Sequence, residues 1–129
     1  MSAISTHVLD TAAGCPAAGL GVRLEHLAPA GPEEIARATT DSGGRIASLG
    51  PERITPGIYR LVFDTGGYLG RQAGGDGSAT SASASSASGM DKPAFFPEVI
   101  VTFTVADDRE HYHVPLLMSP FGYSTYRGS

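Results

Sequence analysis

Hydrophobic positions alternate with polar ones over short runs, and stretches rich in glycine or proline separate those runs. ISTHVLD (residues 4–10) sets Ile4, Thr6 and Val8 on one side and Ser5, His7 and Leu9 on the other. LGVRLEHL (20–27) alternates Val22 and Leu24 with Arg23 and Glu25. After a turn at PAGPEE, IARATT (35–40) is a third run, and GIYRLVFD (57–64) and PEVIVTFTV (97–105) follow. HYHVPLLM (111–118) and FGYSTYR (121–127) form a hairpin through Ser119 and Pro120. A period of two is the mark of a strand, because successive side chains point to opposite faces. TAAGCPAAG (11–19) reads as a loop, and DSGGR (41–45) as a tight turn whose glycines admit positive φ. A short helix is predicted over TGGYLGRQ (65–72), against the poor helix propensity of its glycines. Short strands at this spacing predict an all-β chain folded as a β-sandwich.

Composition changes this picture in one place. Residues 73–91 are Gly, Ser, Ala and Thr with almost no hydrophobes. Such a segment buries too little to offset its ordering entropy, so it reads as a flexible surface loop inserted before the 97–105 strand. Strands on both sides of it are needed for one sandwich, so residues 1–129 are expected to form a single domain. The chain lacks Trp and is only 8% aromatic, which predicts an aliphatic core.

Charge and cysteine content exclude several function classes. The formal charge is −4 and there is no basic stripe with interleaved aromatics, so no nucleic acid partner is expected. No run approaches the ~20 apolar residues that span a bilayer, so no membrane partner is expected either. MSAISTHVLD has neither the basic nor the apolar region of a secretory signal, and the protein is expected to be cytoplasmic. The single cysteine, Cys15, rules out an internal disulfide and a thiolate zinc cluster. Nothing near it in AAGCPAAG would activate a thiol.

The candidate chemistry lies in the histidines. His7 shares a strand face with Ser5 and Leu9, and His113 shares one with His111, Pro115 and Leu117. Tyr112, Val114 and Leu116 make the more continuously apolar face, so both histidines point away from the core. Outward histidines on strands are commonly just solvated. His111 and His113, two apart, could chelate a metal, but no third ligand stands at a recognisable spacing. A histidine base, a second histidine as acid or orienter, and Arg45 for an anionic substrate would make a hydrolytic set. Periodicity alone does not bring His7, Arg45 and His113 together. The chain also carries aromatic and charged residues to its very end, GYSTYRGS.

These segments resemble a known family. ISTHVLDTAAGCPAAGLGVRLEHL, TTDSGGRI, PGIYRLVFDT, FFPEVIVTFTV and HYHVPLLMSPFGYSTYRGS are similar to the transthyretin-related proteins, and within them to the 5-hydroxyisourate hydrolases. The terminal YRGS is the most specific mark, since hormone-carrying transthyretins lack it. The resemblance implies a transthyretin-like β-sandwich of two four-stranded sheets with one short helix, assembled as a homotetramer, a dimer of dimers. The outward face of the strands at 4–10, 111–118 and 121–127 would then line a channel between subunits.

Carried over by motif, the resemblance implies catalytic roles for His7, Arg45 and His113. It implies substrate-binding roles for Tyr126, Arg127, Gly128 and Ser129. The matching histidine is that of HVPLL, hence His113 rather than His111. The implied reaction opens the lactam of 5-hydroxyisourate to give 2-oxo-4-hydroxy-4-carboxy-5-ureidoimidazoline, as a step of urate degradation. Water attacks the ring carbonyl and the C–N bond breaks. No metal and no organic cofactor is expected. In this reading His7 and His113 position and deprotonate water, and Arg45 binds the ring oxygens and keeps its neighbouring histidine neutral. Tyr126 and Ser129 hydrogen-bond the substrate. The alternative is a small-molecule carrier using the same channel. A further reading, compatible with either, is an interaction protein acting through the Ser/Ala-rich loop.

Overall fold

The computed structural model describes residues 3–73 and 93–128. Most of the predicted 73–91 loop, and Ser129, lie outside the described residues. One sheet contains β1 (Ile4–Asp10), β2 (Cys15–Pro16), β5 (Arg45–Ile46), β8 (Tyr112–Ser119) and β9 (Gly122–Thr125). The other contains β3 (Gly21–Ala28), β4 (Gly31–Thr39), β6 (Gly57–Phe63) and β7 (Val99–Val105), in the order β4-β3-β6-β7. The first sheet runs β2-β1-β8-β9, and β5 also pairs with β1, so it has a fifth, two-residue strand beyond the expected four.

The alternation seen in the sequence is the alternation of burial. Ile4, Val8, Leu24, Leu61, Phe63 and Leu116 are all fully buried between the sheets. Each contributes roughly 1.5–3 kcal/mol of hydrophobic stabilisation. The core is less purely aliphatic than expected, because the rings of Phe63, Tyr59, Tyr68 and Tyr112 are buried as well.

Two local expectations need correction. PAGPEE is mostly strand: only residues 29 and 30 turn, and β4 begins at Gly31. Pro32 is tolerated because β4 is an edge strand, where a missing N–H breaks no interior ladder. The 11–19 loop holds the two-residue strand β2, paired with Leu9 and Asp10.

The predicted helix forms as α1 (Thr65–Ala73), one residue longer than expected, so the helix takes Ala73 from the predicted loop. Gly66 and Gly67 serve the helix start. The Asp64 carboxylate accepts the Gly67 N–H at 3.0 Å, an N-cap contact. A Cβ on Gly67 would lie 2.3 Å from that carboxylate, and one on Gly66 would lie 2.9 Å from the Pro97 carbonyl oxygen. Buried Tyr68 donates to Asp10 Oδ2 at 2.8 Å, which ties the helix to the end of β1. Asp10 also accepts the Ala12 and Ala13 N–H groups.

Candidate active site

Strand pairing brings together what periodicity could not. β1 and β8 run parallel, with Ser5 opposite His113 and His7 opposite Pro115. On the other edge of β1, β5 places Arg45 directly opposite His7. Directly opposed residues on neighbouring strands project from the same face. Arg45, His7 and Pro115 therefore form one row across the sheet, and Ser5 and His113 form the next. Two residues, roughly 7 Å of strand, separate His7 from Ser5. His7 and His113 thus stand diagonally, with the charge of Arg45 beside them.

The DSGGR turn is built to hold this row. Asp41 Oδ1 accepts the N–H groups of Gly43 and Arg45, each at 2.9 Å. Those two N–H groups and the nearby Arg45 and His7 charges hold the Asp41 carboxyl below its ordinary range; the Arg45 N–H has the largest effect. Gly44 has φ +76°, and a Cβ there would sit 2.4 Å from the Val8 carbonyl oxygen. Only glycine lets the turn lie this close to β1. The Gly43 carbonyl accepts from His7 Nε2 at 3.0 Å. A carbonyl can only accept, so in the neutral ring Nε2 carries the proton and Nδ1 the lone pair.

His113 is fixed from two sides. Its Nδ1 lies 2.7 Å from Ser5 Oγ, which leaves Nε2 to meet a substrate. Burial pushes its pKa below the ordinary imidazole value, and the charges of His111, His7 and Arg45 push it the same way. Neutral imidazole, the form that can accept a proton, is thereby favoured.

The chain end stays in register with β8. Leu116 pairs with Thr125, and His113 pairs with Gly128 in an isolated bridge. The same register sets Tyr126 opposite Pro115, beside the His7 row. Pro115 has no N–H to give, so the ladder is interrupted there. Thr125 Oγ1 instead bonds the Pro115 carbonyl at 2.7 Å, and the Gly128 N–H donates to the His113 carbonyl at 2.8 Å. Gly128 lies under the imidazole: a Cβ on it would come 2.6 Å from His113 Cδ2. Tyr126 is 59% exposed. Arg127 bonds Glu110 at 2.7 Å and lies 4.7 Å from the centre of the Tyr112 ring, anchoring the tail with its guanidinium.

Sequence reasoning set His111 aside and did not consider Ser5. The structure places Ser5 Oγ 2.8 Å from His111 Nε2 as well as beside His113. Shared strand parity of Ser5, His111 and His113 was the available signal. Among the described residues, no group of three or more His, Cys, Asp or Glu side chains could hold a metal ion.

Residues 4–128 match the model of the HIUase/Transthyretin family. A 5-hydroxyisourate hydrolase of Pseudomonas aeruginosa is 40% identical over 131 aligned residues, covering 100% of this chain and 93% of that protein. The solved 5-hydroxyisourate hydrolase of Klebsiella pneumoniae superposes with a TM-score of 0.75 at 31% identity, covering both chains fully. Transthyretin from Sparus aurata superposes at 0.78 with 27% identity, covering 99% of this chain and 97% of the other. With its two-sheet sandwich, one helix among the described residues and a match over nearly its whole length, this chain belongs to the HIUase/Transthyretin family.

Proposed function

We propose that this protein hydrolyses 5-hydroxyisourate to 2-oxo-4-hydroxy-4-carboxy-5-ureidoimidazoline in urate degradation. The observation that carries the reading is the shared sheet face on which Arg45, His7 and His113 meet. Relatives named 5-hydroxyisourate hydrolase, about 40% identical over nearly the whole chain, support it. A hydrophobic hormone would find cationic and imidazole groups in this cleft, which disfavours the carrier alternative.

Hydrolysis of a lactam needs a base for water, a donor for the oxyanion and an acid for the leaving nitrogen. His7 Nδ1 supplies a lone pair in the neutral ring, and His113 Nε2 supplies one when Nδ1–H donates to Ser5. Arg45, opposite His7, carries the charge that binds the ring oxygens and steadies the oxyanion. Tyr126 hydrogen-bonds the substrate from the adjoining position, joined by the terminal Ser129. Gly128 leaves room for the His113 ring, and Arg127 holds the tail in place. The residues alone can perform these steps, and no cofactor is invoked.

The protein acts as a cytoplasmic homotetramer in which this face meets its counterpart from another dimer. The exposure of Tyr126 (59%) on this face supports burial against another subunit. Light scattering after size exclusion would read four chains; a monomer would overturn the assembly. No helix among the described residues is long and apolar enough to cross a membrane. The activity test generates 5-hydroxyisourate in situ from urate with a urate oxidase and follows its ultraviolet decay. A decay rate proportional to added protein is expected, and a rate unchanged by protein would overturn the hydrolase reading.

A further inference from the structure

Ser5 is 8% exposed and lies between two imidazoles. Its Oγ is 2.7 Å from His113 Nδ1 and 2.8 Å from His111 Nε2. A hydroxyl has one proton, so it can donate to only one ring and must accept from the other. Whenever Ser5 donates to one of the two rings, the tautomers of the two histidines are coupled. If His113 Nδ1–H donates to Ser5, Ser5 donates to His111 Nε2, and His113 Nε2 presents a lone pair to the site. If the chain of bonds reverses, His113 Nε2 carries a proton. His111 is exposed, in a cleft also lined by Glu52, Arg53, Asp108 and Glu110.

We propose that Ser5 and His111 are positioning residues of a proton relay that switches His113 Nε2 between base and acid, with solvent at His111 as proton sink and source. The proposal rests on the hydrolase reading above. As water attacks the lactam carbonyl, its proton forms a bond to His113 Nε2. The Nδ1 proton passes to Ser5 Oγ, the Ser5 proton passes to His111 Nε2, and His111 Nδ1 releases one to solvent. When the C–N bond breaks, the same transfers run backwards: solvent protonates His111 Nδ1, and His113 Nε2 gives its proton to the leaving nitrogen. Over the cycle one water is split, its hydroxyl on the carbonyl carbon and a proton on the nitrogen. His113 need never rest as a cation. That suits its surroundings, since burial and the neighbouring cationic groups disfavour the imidazolium.

The test uses Ser5→Ala, Ser5→Thr and His111→Asn in the full-length chain, with circular dichroism confirming the fold. In dilute buffer, Ser5→Ala and His111→Asn should lower kcat on the order of tenfold, less than loss of the base itself. Ser5→Thr, which keeps the hydroxyl, should stay near wild type. Added imidazole should restore His111→Asn by serving as an external proton carrier. Around His113 stand Ser5 and His7 on β1, Arg45 on β5, His111 ahead of β8 and the Gly128 backbone. Of these, His111 contributes a charge that His111→Asn removes, so the acid limb of kcat/KM should move to higher pH. Nitrogen-15 imidazole spectra of the resting protein should show the His113 tautomer ratio changing in Ser5→Ala, a readout that needs no turnover. Wild-type kcat in Ser5→Ala and His111→Asn would overturn the relay while leaving the hydrolase reading intact. So would a loss that neither threonine nor imidazole restores, with an unchanged tautomer ratio. If wild type does not turn over the substrate, the relay as catalytic machinery falls with that reading, and the spectra still decide whether Ser5 couples the two rings.

Discussion

Replacing Gly128 by alanine should remove activity without unfolding the protein. The added Cβ would sit 2.6 Å from His113 Cδ2 and 3.3 Å from Cγ, whereas ordinary contact begins at 3.4 Å. The ring must therefore retreat by about 0.8 Å at its edge, or the tail must lift off β8. Retreat of the ring strains its 2.7 Å bond to Ser5, and lifting of the tail breaks the 2.8 Å bond from the Gly128 N–H. A misplacement near 1 Å can lower a rate roughly 100-fold, which is about 2.7 kcal/mol of barrier. The effect on stability should stay within about 1 kcal/mol, because one peripheral hydrogen bond is at stake. The assay is kcat/KM from decay of 5-hydroxyisourate, alongside a urea denaturation curve. Gly70→Ala is the control: nothing lies within 4 Å of a Cβ there, so activity should hold. A Gly128→Ala variant with wild-type kcat/KM and an unmoved His113 resonance would refute the idea that the tail sets the ring.

Activity should fall at acid pH as His113 gains a proton. Burial and neighbouring charges lower its pKa, so the midpoint of the acid limb in kcat/KM should lie below 6.5; a midpoint above it would contradict the assignment of His113 as base. Glu25, buried between Arg23 (2.7 Å) and Arg60 (2.6 Å), is held below the ordinary carboxyl value of 4.5, chiefly by its Arg23 hydrogen bond. A depressed carboxyl stabilises the fold above its unfolded pKa, and that contribution is lost as pH falls from about 4.5 through the folded value. Glu25→Gln should accordingly lower stability by roughly 1–2 kcal/mol at neutral pH and flatten its acid dependence, read by denaturation at several pH values. Tyr68→Phe removes the donor to Asp10 from a buried site, and chemical denaturation should show a loss of roughly 1.5–3 kcal/mol. The buried Tyr68 hydroxyl should also resist ionisation well beyond an ordinary tyrosine, since burial and its Asp10 partner both raise its pKa.

Much of the fold is legible in the sequence because burial in a sandwich follows a period of two. Ile4, Thr6 and Val8 face inward as their alternation predicts, and His7 and His113 lie on the other face for the same reason. The start of β4 is not legible, because Pro32 and two glutamates look like a turn until the strand is known to lie at a sheet edge. The glycines of α1 argue against a helix in isolation; the Asp64 cap and the packing of Pro97 against Gly66 explain Gly67 and Gly66. The site depends on pairings between residues far apart in the chain. His7 meets Arg45 across one strand edge, and Ser5 meets His113 across the other, 108 residues away. Local periodicity carries no record of such partners. The family resemblance supplied His7, Arg45 and His113 as a set, and strand register supplies the physical reason they stand together. It also brings in Ser5 and His111, which motif matching passed over.

The central claim is that one sheet face, carrying His7, Arg45 and His113, hydrolyses 5-hydroxyisourate. The most direct measurement compares ultraviolet decay of freshly generated 5-hydroxyisourate with wild-type protein, with His7→Ala and with His113→Ala, at matched pH and concentration. Wild type should accelerate the decay in proportion to its concentration, and each folded variant should lose roughly 100-fold or more of kcat/KM. Wild-type rates in either variant, or no acceleration by wild type, would contradict the account.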